Sequence, residues 1–169
     1  SILGNLLAPK VCEKLGGRKS NAIVFGFLCG GASLLIGVFG KSTAGFLICI
    51  SLAYFFMSFT DSVDYAMYID AGEYYLNKTG KDTKAFIVSM YGLTVKIAVS
   101  AAAVILGAAL KAVNYTEGMT LTDAKSSVLV WICACTMGIG YCLPALLLKF
   151  VHPVSDKEMA EMIKENAAK

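Results

Sequence analysis

Four long apolar runs dominate the chain, at residues 22–40, 43–68, 85–113 and 127–151. Each is near or beyond the roughly 20 residues a helix needs to cross the hydrocarbon core of a bilayer. With 57% hydrophobic and only 16% charged residues in 169, and a mean hydropathy of +0.66, the chain has too little polar surface to cover a soluble globule. The expected fold is an all-α membrane protein with four spanning helices. The two middle runs exceed the hydrocarbon thickness, so tilt or projection into the cytoplasm is expected.

Basic residues set the orientation, because Lys and Arg accumulate in cytoplasmic loops. Lys10, Lys14, Arg18 and Lys19 precede the first run, Lys78, Lys81 and Lys84 lie between the second and third, and Lys149, Lys157, Lys164 and Lys169 follow the fourth. The opposite side holds Lys41, Lys111 and Lys125. The C-terminus is therefore expected in the cytoplasm of a multi-pass protein of the cell membrane. The net charge of +3 is mostly cytoplasmic loop charge and calls for no nucleic-acid partner.

Short connections divide the runs. Lys41 and Ser42 make the first two an antiparallel hairpin, residues 16–19 and 77–84 are the cytoplasmic connections, and residues 114–126 form the external loop. Residues 1–8 are apolar but too short to span, and read as the tail of an earlier helix. A fragment or split half is expected, with a missing N-terminal part as its partner. His152 and Pro153 break the chain after the fourth run; Ser155 and Glu158 have the spacing of a capping box that starts an amphipathic helix to about residue 166.

Lys96 is the first functional candidate. A lysine at a bilayer centre costs roughly 3 kcal/mol and is tolerated where it faces a protein-lined or wet cavity, or where it lies near enough to a helix end to snorkel. About eleven residues of run before Lys96, and a longer stretch after it, favour the cavity. On the third run Ser89, Gly92, Lys96, Ser100, Ala103 and Gly107 share a small, polar face. For Ala103 and Gly107, as for Gly26 and Gly30 on the first run, helix packing is the favoured reading. On the second run Tyr54, Ser58, Asp61, Tyr65 and Tyr68 recur at helical spacing, with Asp64 slightly off the stripe and Asp70 and Glu73 continuing the acidic character. Asp61, Asp64, Tyr65 and Lys96 are the candidates for binding substrate or coupling cation. The tyrosines suit stacking on a sugar face or buried packing. A pairing of Lys96 with Asp61 or Asp64 would neutralise the buried charge.

The stretch from Ala66 through Asp70, Glu73, Tyr74 and Lys78-Thr79-Gly80-Lys81, running without a gap to Ser89 and Lys96, resembles the signature of the glycoside-pentoside-hexuronide:cation symporters. These are the melibiose-carrier family of the major facilitator superfamily. The turn at Glu13–Lys19 resembles that superfamily's loop between helices eight and nine. The resemblance covers essentially the whole chain and implies four spans equivalent to helices 9–12, preceded by the end of helix 8 and followed by a cytoplasmic helix. It implies a sugar or glycoside substrate, a coupling cation (Na⁺, H⁺ or Li⁺), a cavity-facing role for Lys96, and a cytoplasmic gate at Asp70 and Glu73 that pairs with the other half. Tyr75, Leu76, Asn77 and Asp82 depart from the family pattern and remove one acid and one base near that gate.

The six cysteines and one histidine have neither disulfide nor metal-site spacing, and no catalytic motif is present, so neither an enzyme, a cofactor nor a metal is expected. Two function classes follow. One is cation-coupled sugar symport by alternating access, with this chain supplying part of the C-terminal half. The other is a non-transporting fragment or helper that packs on another membrane protein.

Overall fold

The computed structural model describes residues 2–117, 119–120, 122–152 and 154–167. Ser1, Pro153 and Lys169, used above, lie outside the described residues. The elements are six helices: α1 (Ile2–Lys14), α2 (Arg18–Phe39), α3 (Thr43–Thr79), α4 (Lys84–Ala112), α5 (Asp123–Phe150) and α6 (Asp156–Ala167). No strand occurs among the described residues. Helices α2 to α5 are each long and apolar enough to cross a membrane.

The runs and the helices differ most at two places. Helix α1 continues past residue 8, through Pro9, to Lys14. It stops where Gly16 supplies a left-handed backbone (φ 87°), with Gly17 N–H donating to the Cys12 carbonyl and Gly16 N–H to that of Glu13, the paired bonds of a Schellman ending. Helix α3 does not end near Tyr68 but runs on for three turns to Thr79. At 37 residues it is about 55 Å long, well beyond a hydrocarbon core of about 30 Å. Polar partners described below hold that extension, and Gly80 ends it (φ 70°). Only residues 80–83 then separate α3 from α4.

Helix α2 is the centre of the bundle, packed between α3 and α5, and α1, α4 and α6 lie against α3. In lipid, apolar surface gives helices no net reason to associate, so close backbone approach decides which faces meet. Gly26, Gly30 and Gly37 of α2 supply it. A Cβ on Gly26 would meet that of Ala145 at 2.9 Å, one on Gly37 would meet the Trp131 ring at 2.6 Å, and one on Gly30 would collide with Cys142 Sγ. The end of the bundle near Lys41 is filled by Ile36, Cys49 and Ala134. Toward Arg18, Phe25 stacks on Phe59 with centroids 4.2 Å apart.

Helix α4 differs from the others. Ala109 is its one buried residue among those described, and nothing lies within 4 Å of a Cβ placed on Gly92 or Gly107. The packing expected of Gly107 is therefore not made among the described residues. Near its start, Tyr91 packs edge-on against Tyr65 and Tyr68, with centroids 5.7 and 5.1 Å apart. Helix α4 is thus clasped to α3 near one end, touches the bundle again around Ala109, and is largely exposed between them.

Candidate functional site

Two groups of polar residues stand out, one within the spans and one at the Arg18 end. In the first, Asp61 is exposed and Asp64 half-buried on α3, and Lys96 is exposed on α4. The ion pairs among the described residues are Arg18–Asp70 and Lys84–Glu73, so the expected pairing of Lys96 with Asp61 or Asp64 is not formed. Helix geometry gives the reason. Tyr91 faces α3, and five residues further along α4 the side chain has turned by about 140°, away from that neighbour. Both signs of charge therefore stay uncompensated among the described residues.

The α3 stripe also divides. Tyr54 and Tyr65 are about half exposed, whereas Ser58 is 2% exposed, donates to the Phe55 carbonyl at 2.7 Å and faces Gly4 of α1. A face that looks continuous at helical spacing is thus partly a packing seam. Tyr65 and Tyr68 use part of their ring edges on Tyr91, a residue the spacing of α3 could not point to. Asn21 was also missed: it is fully buried and donates from Nδ2 to the Phe59 carbonyl at 2.9 Å, tying α2 to α3 beside Asp61. A cavity of about 560 Å³ lies between α1 and α3, touching Pro9, Cys12, Ser62 and Ala66.

The second group is a lattice of bonds between helix ends. Asp70, 8% exposed, is paired with the Arg18 guanidinium. Glu73 takes Lys84 Nζ on Oε1 at 2.6 Å and Asn166 Nδ2 on Oε2 at 2.8 Å, joining α3 to α4 and α6. Asn77 donates to Glu165 Oε2 at 3.1 Å. At the other end of α6, Asp156 accepts from Lys19 N at 2.9 Å, Ser20 N at 3.1 Å and Ser20 Oγ at 2.7 Å. The first amides of α2 lack partners inside their own helix, and a carboxylate there also meets the positive end of the helix dipole. Gly17 makes room, since a Cβ at that position would overlap the Asp156 carboxylate. Lys19 Nζ adds bonds to the carbonyls of His152 and Val154 at 2.8 and 3.1 Å.

The capping box stands as spaced: Glu158 N–H donates to Ser155 Oγ at 3.3 Å, and Glu158 Oε2 accepts from Ser155 N at 2.8 Å. The Ser155 amide and then its hydroxyl hold the Glu158 carboxyl below its ordinary range. No three His, Cys, Asp or Glu side chains converge in a metal-binding group among the described residues. The structure thus gathers Asp70 and Glu73 into one polar layer with Arg18, Lys84 and α6, and leaves Asp61, Asp64, Tyr65 and Lys96 in the spans outside it.

Four apolar helices of spanning length, with charged residues inside them, define a multi-pass all-α membrane protein. The chain belongs to the MFS/sugar transport protein family, whose profile matches residues 1–156. It is similar to the "Putative sulfoquinovose importer" of Escherichia coli strain K12, with 24% identity over 97% of this chain and 35% of that protein. It is also similar to the "Uncharacterized symporter YjmB" of Bacillus subtilis strain 168, with 23% identity over 98% of this chain and 36% of that protein. The chain therefore spans about a third of the length of these curated relatives. No solved structure matches it significantly.

Proposed function

We propose that this chain forms part of the C-terminal half of a carrier that moves a sugar or glycoside across the cell membrane by cation-coupled alternating access. The carrying observation is the uncompensated charge inside the spans: Lys96 on α4 and Asp61 and Asp64 on α3 have no ion-pair partner among the described residues. Each such charge in lipid costs roughly 3 kcal/mol, which a water-filled cavity or a partner from another part of the carrier removes. Membership of a sugar-transport family supports the cavity. A scaffold or helper would gain nothing from keeping these groups.

In this reading Lys96 faces the central cavity and binds substrate hydroxyls or exchanges partners as the carrier turns. Asp61 and Asp64 take part in substrate binding or cation coupling, and Tyr65 presents its exposed edge to the sugar. Asp70 and Glu73 belong to a cytoplasmic gate, and the C-terminus is cytoplasmic. Within this chain each gate acid already holds a basic partner, Arg18 for Asp70 and Lys84 for Glu73. Closure therefore acts on a preformed layer of ion pairs, not on bare carboxylates.

The test is uptake by cells expressing the full-length polypeptide that carries this chain, with radiolabelled sulfoquinovose and neutral glycosides, with and without a Na⁺ or proton gradient. Cation-dependent accumulation of at least one sugar, abolished by Asp61→Asn with Asp64→Asn, is expected. Equal accumulation with and without every gradient would remove the coupling. No accumulation of any sugar would favour the helper reading.

A further inference from the structure

Helix α6 is held at both ends by polar bonds, and between them it lies against α3 with no residue fully buried. Its first residue, Asp156, takes three bonds from Lys19 and Ser20 at the start of α2. In its last turn Asn166 Nδ2 donates to Glu73 twice, to the carbonyl at 3.0 Å and to Oε2 at 2.8 Å. Met159, Met162 and Ile163 turn toward the bundle, but no residue of α6 is fully buried. An element with little buried apolar area and bonds near solvent opens at a small fraction of the cost of global unfolding.

Glu73 is the point where this matters. Lys84 occupies Oε1 and Asn166 occupies Oε2, so while α6 is docked both carboxylate oxygens are engaged inside the chain. A basic side chain from outside needs an open carboxylate oxygen, and Oε2 is the one that release of α6 uncovers while Lys84 keeps Oε1. We propose that α6 is a releasable strap that withholds Glu73 from a basic side chain of the facing half of the carrier, so that strap release and gate closure are coupled. This rests on the reading of Glu73 as a gate residue given above. Coupling is reciprocal: pairing of Glu73 across the gate loosens α6, and docking of α6 weakens the closed gate.

The experiment uses the full-length polypeptide in membranes, with two readouts: hydrogen exchange of the α6 amides, and the initial rate of uptake of a sugar the parent transports. Asn166→Ala, and independently Asn166→Asp, which sets a second negative charge against Glu73, should speed α6 exchange about tenfold. Each should also change the uptake rate by about fivefold. In a Glu73→Gln background the same changes should still speed α6 exchange but move uptake no further than Glu73→Gln alone.

Faster α6 exchange with uptake unchanged, or changed equally in both backgrounds, overturns the strap and leaves the transport reading standing. Unchanged α6 exchange in both Asn166 variants also overturns it, because Asn166 would then not hold the helix. Absence of uptake by the parent is a different failure, that of the transport reading, and takes the coupling with it.

Discussion

Asp70 carries its charge at 8% exposure, so its stability depends on what faces it. That group is Arg18, whose side chain is still 44% exposed, which places the pair between a surface bridge and a buried one. Asp70→Asn should cost about 1–3 kcal/mol, read as a lower Tm in detergent. The double reversal Asp70→Arg with Arg18→Asp should recover part of the loss; equal losses for the single and double variants would deny the pairing. As an acid in the signature, Asp70 was legible from sequence. Its partner was not, because Arg18 lies 52 positions away and reads there as one more basic residue on the cytoplasmic side. Lys96 shows the same limit from the other direction. Its depth follows from counting residues, but its facing depends on which side of α4 Tyr91 turns to α3, and a single helix does not encode that.

At the scale of the element, the apolar runs locate the helices, and α2, α4 and α5 end within one residue of the runs 22–40, 85–113 and 127–151, whereas α3 continues well past its own. Apolar runs of about 20 residues locate spans because lipid demands them. The last three turns of α3 carry a polar sequence stabilised from outside, by Arg18, Lys84 and Asn166, so nothing local announces them. The capping box of α6 was readable because both its partners lie within four residues. It makes a pH prediction. The folded carboxyl of Glu158 sits below its unfolded value of about 4.5, so the cap is fully present above that value and is lost as pH falls through the folded one. Exchange at the α6 amides should be protected alike from pH 5 to 8, apart from the intrinsic rate, and should lose protection only as pH falls below the ordinary glutamate range. Protection that falls between pH 8 and pH 5 would contradict the assignment. Packing gives a second test at this scale. Gly30→Val drives a side chain into Cys142 and the Gly138 carbonyl, whereas nothing lies within 4 Å of a Cβ on Gly31. The first change should destabilise by about 1–3 kcal/mol and the second, Gly31→Val, by less than about 1 kcal/mol, by thermal unfolding. Equal effects would mean that α2 and α5 do not meet through this seam.

Over the whole molecule, α2 is clamped between α3 and α5, while α4 is fixed to α3 by the tyrosine clasp and the Lys84–Glu73 pair and is largely exposed apart from Ala109. The helix that carries Lys96 is thus the one with most surface left for something beyond this chain. That arrangement suits a carrier whose remaining part covers α4 and encloses a wet path, and it concentrates the functional claim in one side chain. The direct measurement is sugar uptake by proteoliposomes holding the full-length polypeptide, comparing the parent with Lys96→Ala and Lys96→Arg at equal protein content. Loss of at least about tenfold in Lys96→Ala, with partial retention in Lys96→Arg, is the expected result for a charge that works in the cavity. Uptake by Lys96→Ala equal to that of the parent would contradict the account.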